Sequence, residues 1–138
     1  VTDITKNLPF GDESTDIVLL SNVLEHIYDP AHLIKECFRI LRPKGYIIGT
    51  VPFMVKVHQE PHDYFRYTPY ALRKLLGEKI EIYDLSSPGD VLKTALRQYF
   101  KRVNLRFLSG LVSGLVCFLP RLKANYIFTE GYGFIAYK

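Results

Sequence analysis

The densest run of chemically able side chains lies at 58–67: His58-Gln59-Glu60-Pro61-His62-Asp63-Tyr64-Phe65-Arg66-Tyr67. Imidazoles can move protons near neutral pH. Asp63 and Arg66 can pair with polar groups of a ligand, and Tyr64 and Tyr67 can pack on it or donate from a hydroxyl. The proline and the crowding of polar residues read as a loop. A loop that orders so many side chains is expected to recognise something, and the competing reading is a hydrogen-bonded structural corner. His58, His62 and Asp63 match no strong metal-ligand spacing, so no metal is expected. A third imidazole, His26, follows Glu25. It is open to two readings: a general base, or a histidine bonded to a backbone carbonyl.

These groups need elements to hold them. Residues 16–21 form a nearly continuous apolar run, the pattern of a parallel strand buried on both faces. Asp29-Pro30 opens a helix, with Asp29 as cap and Pro30 at the first helical position. Leu33, Ile34, Cys37, Ile40 and Leu41 give that helix one apolar face. Pro43 should stop it, and Lys44-Gly45 should turn the chain into a second buried strand over 46–51. Strand, helix and strand make a right-handed β-α-β unit. The polar loop follows. Thr68-Pro69 then starts a helix that carries Leu72, Leu75 and Leu76 and ends at Gly77. Residues 79–85 alternate as a strand, 86–90 form a turn cluster, and 91–125 look mostly helical. Residues 126–137 read as a strand pair or one long strand, interrupted at Gly131 and Gly133.

Length and composition fit one globular domain: 138 residues, 48% apolar and 23% charged. A net charge of +4 is too mild to argue for nucleic acid, and none is expected as a partner. Cys37 and Cys117 sit in apolar segments and read as free buried thiols. No signal-peptide pattern opens the chain. Because the chain begins at Val1 and its only methionine is Met54, it is expected to be a piece of a longer protein.

Several blocks now line up in order: Asp3, Leu8-Pro9-Phe10, the acidic-Ser-x-Asp stretch at 12–16, Glu25-His26, and Arg39-Ile40-Leu41-Arg42-Pro43-Lys44-Gly45. Together they resemble the second half of a class I S-adenosylmethionine-dependent methyltransferase (type 11, UbiE-like). The loop block, continued into Thr68-Pro69, is similar to one in related enzymes that look like sugar or cell-envelope modifiers. The resemblance implies a Rossmann-like α/β sheet ordered 3-2-1-4-5-7-6 with antiparallel strand 7. This chain would supply strands 4, 5, 7 and 6 plus a helical insertion. It implies S-adenosyl-L-methionine as cofactor, lying across the carboxyl ends of the parallel strands. Asp3 would accept from the adenine amino group, Ile4 would lie beside the ring, and Ser21, Asn22 and Val23 would line the methionine side. His26, His58 and His62 are then the candidate catalytic residues. Asp63, Tyr64, Arg66 and Tyr67 are the candidate acceptor-binding residues. Lys44 replaces the first of the family's two turn glycines, so it is expected to need a left-handed backbone.

The single domain therefore divides into a cofactor-side unit at 1–53, an acceptor loop at 54–67 and an insertion at 91–125. Residues 91–129 hold seven basic residues (Lys93, Arg97, Lys101, Arg102, Arg106, Arg121 and Lys123) and no acid. The apolar run at 107–119 is too short to span a bilayer, which takes about 20 residues. It reads as an interfacial helix making peripheral membrane or lipid contact, or as a lid, core or oligomer contact. The expected function is methyl transfer by the parent protein to a small-molecule, sugar or lipid-linked acceptor, with this chain inactive alone. The alternative is a non-catalytic membrane- or partner-binding module. The expected location is cytoplasmic or membrane-associated. Strand 16–21 lacks its usual neighbour, so a second copy or a missing amino-terminal half is expected to cover it.

Overall fold

The computed structural model describes residues 2–104, 108, 110, 114 and 128–138. The elements run in the order β1 (Thr15–Ser21), a 3-10 turn (Leu24–His26), α1 (Pro30–Ile40), β2 (Leu41–Pro52), α2 (Pro69–Leu76), β3 (Ile80–Asp84), α3 (Pro88–Arg102) and β4 (Gly131–Tyr137). The four strands form one sheet in the order β1-β2-β4-β3. β1 and β2 are parallel, and β4 runs antiparallel to both β2 and β3. This is the 4-5-7-6 order, with the antiparallel strand where the resemblance puts it.

The helix starts are written in the sequence. Asp29 accepts from the backbone N–H of His32, and Thr68 from that of Ala71, each with proline at the first helical position. Gly77 ends α2 at φ 94°, a conformation that costs a glycine little. The cluster at 86–90 is not a free turn. Ser87 caps α3 and forms a reciprocal capping box with Asp90, so that helix begins earlier than the apolar pattern suggests.

α1 ends at Ile40, before Pro43 is reached, and β2 starts at once with Leu41. Thr15 pairs with Leu41 and Ile17 with Tyr46, so 42–45 bulge out of the ladder opposite Asp16. Lys44 sits in that bulge at φ 70°, as expected where the family has glycine. β3 is two residues shorter than read from the sequence. In the last segment β4 begins only at Gly131, so 128–130 lie outside the strand, and Gly133 within it interrupts nothing because it pairs with Thr50 of β2.

α1 and α2 contribute Leu33, Ile34, Cys37, Leu72 and Leu76 to the core, which also holds Leu20, Ile47, Val51, Tyr132, Phe134 and Ala136 from the strands. Burial pushes the Cys37 thiol up to about 11, as expected of an inert buried cysteine. The other sheet face corrects the sequence reading. Ile17 is 49% and Leu19 69% exposed, so β1 is buried on one face rather than two. Ile48 of β2 is also exposed on that side.

The amino-terminal loop is tied down by one arginine. Arg39 donates to Glu36, to Asp12 and to the carbonyls of Leu8 and Phe10, while Glu36 accepts from the N–H of Leu8. The calls on Cys117, Arg106, Arg121, Lys123, the run at 107–119 and the strand before Phe128 lie largely or wholly outside the described residues. Among the described residues, no helix is long and apolar enough to cross a membrane.

Candidate functional site at the carboxyl end of the sheet

The parallel strands β1 and β2 end side by side, and the two loops that leave them build the site. After Ser21 the chain turns sharply, with Asn22 at φ 50°. The N–H of Asn22 donates to the Thr50 carbonyl at 3.0 Å, and its side-chain oxygen accepts from the Thr50 hydroxyl at 3.1 Å. Asparagine tolerates this left-handed conformation better than most residues. Val23 then leads into the 3-10 turn, whose Glu25 points inward and is fully buried.

The polar loop leaving β2 folds back over that turn. The N–H groups of Tyr64 and Phe65 both donate to the Glu25 carbonyl, and the Tyr67 hydroxyl donates to the Leu24 carbonyl at 3.1 Å. Burial pushes the Tyr67 hydroxyl up to about 12. The Arg66 guanidinium grips Asp63 with two bonds of 2.5 and 2.7 Å and holds its carboxyl well below the usual range. Asp63 also accepts from the N–H of His58 at 2.9 Å. This pair staples the loop shut around Glu25.

Three ionisable side chains meet under the loop. The rings of His26 and His58 lie edge to face, 5.1 Å apart. Nε2 of His26 is 3.7 Å and Nε2 of His58 is 3.8 Å from Oε1 of Glu25. Burial raises the Glu25 carboxyl above its ordinary value. Beside this cluster a cleft of about 420 Å³ is lined by Asn22, Val51, Pro52, Val55, Lys56, His58, Leu85, Gln98, Glu130 and Gly131.

The candidate residues are thus sorted by position. Asn22 and His58 share one cleft. Ser21 is exposed at the strand end beside Thr50. Asp3 lies apart, in a local turn, where Thr5 donates to it through its N–H and hydroxyl and lowers its carboxyl. Ile4 packs against the core. His26 donates through Nδ1 to the His62 carbonyl at 2.6 Å, the structural geometry considered for it, and its Nε2 is buried. The His62 ring turns to the Tyr64 hydroxyl at 2.8 Å instead of joining the cluster. Asp63 and Tyr67 are buried and hold the loop, so neither presents its side chain to an incoming acceptor, whereas Tyr64 is exposed. Glu25 was missed. Its place beside His26 was visible, but nothing in the local sequence announced that it would be buried.

The exposed Ser21 hydroxyl and Asn22 amide, on a turn at the carboxyl ends of parallel strands, fit the polar amino-acid end of S-adenosylmethionine. The cleft's apolar walls, Val51, Val55 and Leu85, suit its hydrocarbon parts.

Comparison with known proteins bears on the fold and on residues 1–49. Residues 1–49 match the family described as "Methyltransferase domain". A Mycolicibacterium smegmatis protein named as a probable S-adenosylmethionine-dependent methyltransferase is 44% identical over 45 residues, which are 33% of this chain and 18% of that protein. An S-adenosylmethionine-dependent methyltransferase from Archaeoglobus fulgidus superposes over 99% of this chain and 66% of its own, with TM-score 0.60 and 17% identity. A phosphoethanolamine N-methyltransferase of Haemonchus contortus, solved with S-adenosyl-L-methionine, superposes over 98% of this chain and 35% of its own, with TM-score 0.53 and 19% identity. At these identities the two structures speak for the fold. The chain spans under a fifth of the curated relative and about two thirds of the Archaeoglobus chain. Sequence match and sheet order converge: residues 1–49 are similar to S-adenosylmethionine-dependent methyltransferases, and the four strands have the order of the carboxyl-terminal part of that class I fold.

Proposed function

We propose that the full-length protein transfers a methyl group from S-adenosylmethionine to a small-molecule, sugar or lipid-linked acceptor. The observation that carries this reading is the shared cleft, with Asn22 from the cofactor side and His58 from the acceptor-side loop lining one space. Bound S-adenosylmethionine supplies a methyl group already activated for displacement. The protein then has mainly to hold the acceptor in line and keep water out. Ser21 and Asn22 hold the methionine end. The stapled loop at 54–67 fixes the acceptor side, where Tyr64 is the exposed aromatic. No observation favours a non-catalytic module.

Calorimetry tests this with the full-length protein. S-adenosylmethionine should bind, and Asn22→Ala should weaken it several-fold, the scale of one lost hydrogen bond. A folded full-length protein that binds no S-adenosylmethionine overturns the reading. The 138 residues by themselves are expected to bind it weakly or not at all, because the described residues provide no glycine-rich turn at a strand end and no acid placed for the ribose. Micromolar binding to them alone would contradict that.

A further inference from the structure

Around Glu25 the hydrogen bonds do not balance. Its carboxylate is 0% exposed, and among the described residues neither oxygen has a hydrogen-bond partner, nor does the buried Nε2 of His26. Unpaired buried polar atoms are costly, and charged ones more so.

The proton positions sharpen the problem. Nδ1 of His26 lies against the His62 carbonyl, which can only accept, so Nδ1 carries the hydrogen. The neutral ring then leaves a bare lone pair on Nε2. Nδ1 of His58 lies 3.3 Å from Oδ2 of Asp63 and 3.4 Å from the Lys56 carbonyl. Both of these accept as well, Asp63 taking two bonds from the Arg66 guanidinium. In the neutral ring Nε2 of His58 is then bare too. Both lone pairs face Oε1 of Glu25, at 3.7 and 3.8 Å, too far apart for hydrogen bonds. With both rings neutral and Glu25 ionised, three lone-pair donors converge on one space. One ligand atom from each residue lies within 4.8 Å of the others. A tetrahedral ion with bonds of about 2.0–2.2 Å sets its ligand atoms about 3.3–3.6 Å apart, so small movements would close the site. The Nδ1 contacts to a carbonyl and a carboxylate are the outer support that metal-bound histidines usually have.

We propose that Glu25, His26 and His58 bind one first-row transition-metal dication of the Zn²⁺ kind, through the Glu25 carboxylate and both Nε2 atoms. Two imidazoles and a carboxylate suit such an ion better than Mg²⁺ or Ca²⁺, which favour all-oxygen sets. Three protein ligands leave a fourth position for water or a ligand oxygen, and His58 also lines the cleft. The site stands or falls apart from methyl transfer.

The test uses full-length protein stripped with a chelator and then titrated calorimetrically with ZnCl₂. One equivalent should bind. Glu25→Gln and His58→Ala, each checked for retained fold by circular dichroism, should weaken binding at least 100-fold, and His32→Ala should leave it unchanged. Wild-type protein loaded with Co²⁺ should show the intense visible absorption of a tetrahedral site, a readout that needs no variant. A folded, stripped protein that takes up no Zn²⁺ overturns the proposal. So does stoichiometric binding that survives Glu25→Gln, or an octahedral Co²⁺ spectrum.

Discussion

Lys44 occupies φ 70°, in a region that costs a residue with a β-carbon about 1–2 kcal/mol. Its side chain is exposed. Lys44→Gly should therefore stabilise the domain, by about 0.5–1 kcal/mol after the entropy that glycine loses on folding, measured as a higher urea midpoint at unchanged slope. Glu36 gives a second residue-scale prediction. Its bonds from Arg39 and the Leu8 N–H lower its carboxyl from 4.5 to about 2. A carboxyl depressed in the folded state stabilises fully above its unfolded value and loses that contribution as pH falls through its folded value. The stability gap between wild type and Glu36→Gln should thus be full above about pH 5 and shrink between pH 4.5 and 2. Parallel urea titrations at pH 6 and pH 3 read it directly, and an equal gap at both would remove Glu36 from the account. Both sites were half legible. The glycine missing at Lys44 pointed to a positive φ, but Glu36 looked like an ordinary residue of α1. Only the fold brings Leu8 and Arg39 to it.

At the scale of elements, what the sequence displayed was local. Proline after Asp29 and after Thr68 marked two helices, and the apolar run at 16–21 marked β1, because caps and periodicity act within a few residues. Capping box and turn share the same residues, so Ser87 to Asp90 read as a turn until α3 was seen to begin there. The site was legible in part for the same reason. The loop at 58–67 was conspicuous, yet its Asp63–Arg66 pair serves the loop itself, and its key partner Glu25 comes from the turn after β1. Contacts over that sequence distance depend on the strands lying side by side. β2 also carries a constraint that no pattern shows. A β-carbon added at Gly49 would lie 2.5 Å from the Leu20 carbonyl and 2.5 Å from the Phe134 ring. The carbonyl belongs to the paired strand and cannot easily give way. Gly49→Ala should destabilise by about 1–3 kcal/mol or more, seen as a lowered thermal midpoint.

Across the whole molecule, the open sheet face is not uniformly apolar. At its β3–β4 end, Glu81 accepts from the hydroxyls of Tyr83 and Tyr137, which turns that end polar. At its β1–β2 end, Ile17, Leu19 and Ile48 stand exposed together, and among the described residues β1 pairs with β2 alone. An apolar patch beside an unpaired strand edge is a place where chains associate. Relatives of this fold are longer than the chain, so we propose that further parts of the methyltransferase domain cover this end in the full-length protein. Left by themselves, the 138 residues should then self-associate through it. Sedimentation velocity should show species larger than the 16.0 kDa monomer at micromolar concentration. Replacing Ile17 and Leu19 together by lysine should restore the monomer, because charge blunts both the patch and the edge while the buried face of β1 keeps Val18 and Leu20. A wild-type chain that stays monomeric would show that the edge needs no cover. Association that survives the double replacement would move the contact elsewhere.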